Sequence, residues 1–293
     1  MNQSAAKRAL LLLEHLAGHP DGVSLTELCD SLDLPKSIVH RLLALLQETG
    51  FVQQEESKGR YGLTLKLTML GLRHYVSTGI DDLVQPILDR LAADTGELAR
   101  LAVADGDRLV WVAKAQGART GLRYDPGVDH DTGHDVVLHA TSTGKVWLAS
   151  MPEDEALRIV AATDLHTPER FGPNAVRTIE AFRAKLDETR RKGFGEAIEE
   201  GEAGTAAVAV AVYDEGVRGL ARGRAVGTLS LAGPLVRFGP ERRELLAARL
   251  AAAARELGGV WPLRLAGDRT SASSSRSTPT TTEIAREQRR TAV

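Results

Sequence analysis

The sequence predicts an α+β protein built in two folded parts, a small helical N-terminal domain and a larger C-terminal domain in which helices flank an antiparallel sheet. At 293 residues the chain is long for one compact domain, given a norm of about 150 residues each. Hydrophobic residues make up 43% and charged residues 26%, a composition that can build a core rather than stay unfolded. Pattern then divides the chain. Residues 1–78 are rich in leucine at helical spacing, and residues 79–265 alternate helical and strand-like runs. Residues 266–293 include RTSASSSRSTPTTT, too poor in apolar groups to offset its chain entropy, and are expected to be a disordered tail.

The formal net charge of −2 excludes a polycation that coats nucleic acid or anionic membrane indiscriminately, so any DNA contact must be local. The lone cysteine, Cys29, has no internal disulfide partner and no second thiol for a zinc site, which fits a reducing compartment. Lys7 and Arg8 precede an apolar run over residues 9–13, but Glu14 ends it too soon for a signal peptide. No uncharged apolar stretch approaches the ~20 residues that span a bilayer, and a cytoplasmic location without membrane contact is expected.

Ser24-Leu25-Thr26-Glu27 has the spacing of a capping box, which starts a short helix near Leu25 running to about Leu32. Asp33-Leu34 interrupts the pattern, and Pro35 suits the first turn of a second helix that ends at Gly50. Ile38, Val39, Leu42, Leu43 and Leu46 recur every three or four residues and form its buried stripe. Its other face offers Lys36, Ser37, His40 and Arg41 near the N-terminus, the end that a recognition helix presents to base edges. Two short helices joined by a tight turn give a helix-turn-helix. Residues 51–54 and 60–63 then read as a hairpin whose tip carries Lys58 and Arg60, cations able to reach sugar-phosphate. Residues 1–76 hold eight Lys/Arg and eight Asp/Glu, so a basic footprint does not support DNA binding, and an ordinary helical hairpin fits the same pattern.

Beyond residue 78, an amphipathic pattern at Leu83, Ile87, Leu88 and Leu91 ends at Gly96. Residues 98–104 and 109–115 flank Asp105-Gly106-Asp107 as a hairpin. Helices are expected over 142–150, 153–162, 175–192 and 241–257, with strands over 206–213 and 225–232. Leu245, Leu246, Leu250 and Leu257 form a stripe that packs the last helix on the sheet, and Trp111 and Trp147 are read as core.

These residues resemble the IclR-type family of bacterial transcriptional regulators. Ser24-Leu25-Thr26-Glu27-Leu28, Leu34-Pro35-Lys36-Ser37 and His40-Arg41-Leu42-Leu43 resemble its helix-turn-helix, and Arg60-Tyr61-Gly62-Leu63 its second wing strand. Leu138-His139-Ala140-Thr141-Ser142-Thr143-Gly144-Lys145 is similar to the motif bordering its effector pocket, and Arg170-Phe171-Gly172-Pro173-Asn174 to a following loop. Arg190-Arg191-Lys192-Gly193-Phe194, Glu199-Glu200 and Leu229-Ser230-Leu231-Ala232-Gly233-Pro234 continue the likeness in order. Collinear motifs are far more specific than any one alone. The resemblance implies a winged helix-turn-helix, a linker helix around residues 65–75 and a GAF-like effector-binding domain in a homodimer or homotetramer. It also implies a repressor or activator that contacts DNA through Thr26, Lys36, Ser37, His40, Arg41, Lys58 and Arg60, with an effector near Thr141, Ser142, Thr143, Gly144, Thr205, Ala207 and Ser230. The chain departs from the family where alanine replaces an acidic residue near Ala197, Cys near Ala207, Pro near Ala211 and Ser near Ala232. About six residues are also inserted within 216–224.

A helix start at Thr141 to Thr143 favours an anion through free N–H groups and the dipole, so a small carboxylic or aromatic acid is the expected effector, although the hydroxyls can equally serve only as caps. Gly144-Lys145 is not a phosphate loop, because position 139 is His where that motif needs Gly. Asp129-His130-Asp131 with His134-Asp135 is read as a solvated acidic loop, and neither a metal nor another cofactor is assigned. Glu199 and Glu200, adjacent on an extended segment, should face opposite ways and cannot share a substrate atom. With no G-x-S-x-G, H-E-x-x-H or G-x-G-x-x-G motif, the chain is read as a non-enzyme. The competing reading is a small-molecule-binding enzyme with an accessory helical domain.

Overall fold

The computed structural model describes residues 4–55, 57–77, 79–127, 131–163, 165, 171–214 and 223–261. The chain divides into two compact units, Met1–Thr78 and Gly79–Val293. Residues 266–293, expected to be a disordered tail, lie outside the described residues.

The first unit opens with α1 (Ala5–Ala17), a helix the sequence reading did not assign, capped by Ser4, whose side chain accepts from Lys7 N. The capping box forms as its spacing predicts. In α2 (Leu25–Leu32), Ser24 N donates to Glu27 Oε2 at 2.7 Å and Glu27 N to Ser24 Oγ at 3.3 Å. Asp33 turns the chain in the left-handed region at φ 50°, and α3 (Lys36–Glu48) starts just after Pro35, one residue later than predicted. Strands β1 (Val52–Gln54) and β2 (Tyr61–Leu63) pair antiparallel as the wing. Leu12, Leu16, Leu28, Val39, Leu42, Leu43, Leu46, Val52 and Tyr61 meet in one core, so the stripe read from α3 is the face that α1, α2 and the wing cover. Helix α4 (Leu65–Ser77) follows, with no buried residue.

The second unit runs α5 (Ile80–Leu83), α6 (Gln85–Thr95), β3 (Leu98–Asp105), β4 (Arg108–Gln116), α7 (Ser142–Ala149), α8 (Glu153–Ala161), α9 (Ile179–Lys192), β5 (Gly195–Ile198), β6 (Thr205–Val212), β7 (Gly227–Pro234) and α10 (Pro240–Gly259). The five strands form one fully antiparallel sheet, ordered β4-β3-β7-β6-β5. Three expectations shift. Leu245, read with Leu246, Leu250 and Leu257 as the stripe that packs the last helix on the sheet, is 55% exposed, whereas the other three are buried. The helix expected from residue 175 starts at Ile179, where Thr178 caps it by accepting from Ala181 N, and the edge strand β5 was not foreseen. The 216–224 insertion falls in the β6–β7 connection, and residues 215–222 of it lie outside the described residues.

Helices α6 and α10 pack on one face of the sheet, while α7 covers the other with α8 and α9 around it. Register fixes which residues share each face, because directly paired residues in an antiparallel sheet point the same way. Glu196 meets Arg243 of α10 at 2.6 Å, and a Cβ on Gly195 would lie 2.2 Å from the Ser142 carbonyl of α7, so alternate residues of β5 mark the two faces. No described helix is long and apolar enough to cross a membrane.

The capping box has a pH signature. Hydrogen bonds from Ser24 hold the Glu27 carboxyl below its ordinary pKa. A depressed folded-state value means that the cap's contribution is complete above the unfolded carboxyl range of about 4.3 and is lost as pH falls through the lowered value. Glu27→Gln should therefore lower the first unit's melting temperature at neutral pH, and the deficit should shrink steadily on acidification. A deficit independent of pH in calorimetry of the full chain would contradict this.

Candidate DNA-reading and effector sites

On α3 the buried positions Val39, Leu42, Leu43 and Leu46 leave Lys36, Ser37, His40 and Arg41 exposed together on the opposite side of the helix, beside its N-terminus. Thr26 is exposed on the first turn of α2, and the Lys58 side chain is 68% exposed at the wing tip, 3.4 Å from Glu55. Arg60 is differently placed from its neighbour. Its Nε and Nη2 donate to the Gly22 carbonyl at 3.0 and 2.7 Å, and Nη2 lies 3.4 Å from Glu27 Oε2. That guanidinium ties β2 to the turn preceding α2, so it orients the wing where the sequence reading saw only a phosphate contact.

In the second unit, Thr141 rather than Ser142 or Thr143 is the N-cap of α7. Its hydroxyl donates to Val137 O at 2.7 Å and accepts from Gly144 N at 2.9 Å, which saturates it as a cap. The first turn of α7 is pressed against its surroundings. A Cβ on Gly144 would stand 2.2 Å from Leu138 O, which explains why glycine occupies that position. The next residue, Lys145, is 1% exposed, and its Nζ donates to Glu200 Oε2 at 2.5 Å, with Glu200 3% exposed. Burial pushes the Lys145 ammonium down, and Glu200 opposes that shift. Glu199, at φ 53°, turns the other way and accepts from Gly204 N at 3.0 Å, so the expected split of the two adjacent carboxylates is seen.

Three rows of the sheet face α7. Gly195, Ala209, Ser230, Arg100 and Lys114 are register partners across all five strands. Flanking them on one side is Ala197-Ala207-Ala232-Leu98, and on the other Ala211-Thr228-Ala102-Trp111. Ala197, Ala207 and Ala232, where the resemblance led polar side chains to be expected, thus form one apolar row. Thr205 shares this face, two residues before Ala207, with its hydroxyl turned back to Glu202 O at 2.7 Å. Ser142, Thr143 and Ser230 are 1%, 1% and 3% exposed, and among the described residues no protein group hydrogen-bonds their hydroxyls. Thr228 Oγ1 is likewise buried without a hydrogen-bond partner. Sequence reasoning missed Thr228 and also Arg100, which lies 5% exposed with its guanidinium carbon 3.4 Å from the Trp111 ring centroid. A charged residue at an inward position of the apolar run LARLAV was the available signal.

Two hollows open nearby, and the larger reaches Ala211 at the end of one row. A cavity of about 150 Å³ is lined by Lys145, Lys185, Lys192, Glu188, Glu196 and Glu200 among others, and a groove of about 740 Å³ runs along Val210, Ala211 and Tyr213 between α7 and α10. Neither is lined by an expected effector residue. Of the acidic loop read from the sequence, Asp129 and His130 lie outside the described residues, and Asp131 is engaged by Lys114 at 2.6 Å; no trio of His, Cys, Asp or Glu able to hold a metal ion occurs among the described residues.

A recognition helix with an exposed polar front, a wing beside it and a separate domain with buried, partnerless hydroxyls define a ligand-responsive DNA-binding protein. The chain belongs to the IclR family of bacterial transcriptional regulators. Residues 5–56 match the IclR helix-turn-helix domain and residues 73–258 the bacterial transcriptional regulator IclR C-terminal domain. The chain is 30% identical to the HTH-type transcriptional regulator KdgR of Escherichia coli K12 over 240 residues, covering 82% of this chain and 86% of KdgR. A putative IclR regulator from Silicibacter sp. TM1040 superposes with a TM-score of 0.70 at 26% identity, covering 87% of this chain and 95% of that one. An IclR homologue from Microbacterium hydrocarbonoxydans, solved with 4-hydroxybenzoate, gives a TM-score of 0.69 at 22% identity, covering 87% and 98% of the two chains.

Removing Lys145 would leave the buried Glu200 carboxylate only Lys185, 43% exposed and 3.8 Å away, so Lys145→Met should cost up to about 3 kcal/mol in denaturant unfolding of the second unit. Lys145→Met with Glu200→Leu should recover most of that loss. A double variant as unstable as the single one would show that the pair holds the fold through something other than charge compensation.

Proposed function

We propose that this chain is a homo-oligomeric transcription regulator of the cytoplasm that reads an operator with Lys36, Ser37, His40 and Arg41 and answers to a small carboxylic or aromatic acid bound by its second unit. It acts by binding rather than turnover. The observation that carries the DNA half is the division of α3 into a buried leucine and valine stripe and an exposed polar N-terminal face, the surface that fits a major groove. Thr26 adds a backbone contact from the first turn of α2, Lys58 reaches phosphate from the wing, and Arg60 aligns that wing and adds its charge.

The effector half rests on the partnerless hydroxyls of Ser142, Thr143 and Ser230 beside the capped start of α7, with Thr141, Gly144, Thr205 and Ala207 shaping the same face. The start of α7 and these donors favour an anion. The 4-hydroxybenzoate bound by the Microbacterium hydrocarbonoxydans homologue is an acid of the proposed class. Oligomerisation is supported by α4, where Leu65, Met69, Leu72 and Val76 are 75%, 59%, 56% and 67% exposed, an apolar surface suited to a second copy of the chain. Effector and operator then share one coupling free energy, and each must change the other's affinity by the same factor.

Footprinting on the chain's own upstream region, with a screen of small acids for release, tests the whole reading. Arg41→Ala should weaken operator binding by about 1–3 kcal/mol and relax specificity at one position, whereas Lys58→Ala should weaken all duplexes evenly and reduce the salt slope by about 1. Gel shifts unchanged in both variants would refute the assignment, and turnover of a metabolite without retention on DNA would favour an enzyme.

A further inference from the structure

We propose that Arg100 selects the effector by charge, binding its carboxylate, while the alanine row Ala197, Ala207 and Ala232 receives a hydrocarbon body. The inference rests on reading the α7 face of the sheet as the effector site. It adds the anchor residue and the shape of the acid.

Arg100 sits on a central strand in a run that is otherwise apolar, and it is 5% exposed. Taking a guanidinium out of water is unfavourable unless acceptors surround it, so a charged residue at this inward position asks for a reason beyond filling the core. Burial brings its pKa down to about 10, which leaves it fully charged at neutral pH. Stacking on Trp111 holds the guanidinium flat, with its N–H groups directed outward in its own plane. A flat fork with five donors can serve a protein acceptor and still present a bidentate edge to a carboxylate. Its register partner Ser230 has its Cβ about 5 Å away on the same face, and the Ser230 hydroxyl has no protein partner among the described residues.

The surroundings define where the acid lies. At one end of the Arg100 row, Gly195 is covered by the first turn of α7. At the other, Lys114 grips Asp131 at 2.6 Å, and Asp131 and the half-buried Tyr124 stand within electrostatic reach of Arg100. The neighbouring row of alanines is not fully covered, because Ala207 keeps accessible surface although β5 and β7 flank it on both sides. Three methyl groups in one row suit an apolar ligand body and offer nothing to a second polar group. The ligand class is therefore an amphipathic monocarboxylate with a ring or branched chain, rather than an acid of two or three atoms.

Calorimetric binding to the full-length protein tests this with matched probes, benzoate against benzamide and cyclohexanecarboxylate against its amide, with acetate as the minimal acid. Wild type should bind each larger acid at least roughly tenfold tighter than its amide and much tighter than acetate, the discrimination expected when a buried charge loses its counter-ion. Arg100→Gln, which keeps a hydrogen-bond donor on the strand, should bring the acid-to-amide ratio to about one while a cooperative melting transition is retained. Equal binding of acid and amide by wild type, absence of acid binding, or an acid preference that survives in Arg100→Gln would overturn the proposal. Ala207→Leu separates this from the reading beneath it. If Ala207→Leu excludes acids and amides alike while Arg100→Gln changes nothing, the site stands and the anchor falls. If acid binding persists in Ala207→Leu, the effector site itself has been misplaced.

Discussion

The second unit depends on how closely the first turn of α7 is held to the sheet. Two glycines make the approach sterically possible, since a Cβ on Gly144 or Gly195 would stand 2.2 Å from a carbonyl oxygen. Proximity alone does not hold the turn there. The buried Lys145–Glu200 pair does, joining the helix to the segment that leads into β6. Glu199 and Glu200 in turn accept backbone bonds from Asn174 and Gly172 at 3.0 and 2.9 Å, so one ion pair fixes three stretches of chain at once. Charges sealed from water tolerate little displacement, because separating them restores the full desolvation cost. That stiffness defines the position of the Thr141 cap and of the hydroxyls that follow it.

The two faces of the sheet show what such a site costs. Toward α10 the strands present Val208, Val210, Leu229 and Leu231 to Leu246, Leu250 and Leu257, all buried and all apolar. Toward α7 the sheet carries Thr228 and Ser230 on β7 and Arg100 on β3, polar groups whose burial opposes folding unless they are partnered. Local departures from good packing are expected to coincide with functional sites. The contrast falls within single strands: along β7, Leu229 and Leu231 serve the core, whereas Thr228 and Ser230 between them serve the opposite face.

What the sequence made legible follows from the range of the interactions involved. The capping box at Ser24, the stripe on α3 and the hairpin around Gly106 are decided by residues within a few positions of one another, and each formed. Helix α1 was obscured because its apolar run resembled a truncated leader, although Ser4 caps it and Leu12 and Leu16 enter the core. Strand β5 has only four residues and exists because β6 pairs with it, a long-range cause that local pattern does not carry. The structural role of Arg60 was hidden for the same reason, as its partner is the Gly22 carbonyl 38 positions away. Family likeness located Ser230 and the altered alanines, but only register showed that Ala197, Ala207 and Ala232 lie in a single row, and only burial drew attention to Arg100.

The charge of the first unit bears on how such a regulator can be switched. Eight cations balanced by eight anions give residues 1–76 no net positive charge, so the sequence-independent affinity of one copy for DNA is limited to the local contacts of its exposed cations. In the proposed oligomer, tight binding then comes from two recognition helices engaging two half-sites together, where the second contact is governed by effective concentration. That gain is lost when geometry forbids simultaneous engagement. An effector need not unfold or cover the recognition helix; shifting the spacing of two helices is sufficient. A domain with weak individual contacts and an apolar helix, α4, leading out of it is suited to that form of control, because little affinity survives once the pair is out of register.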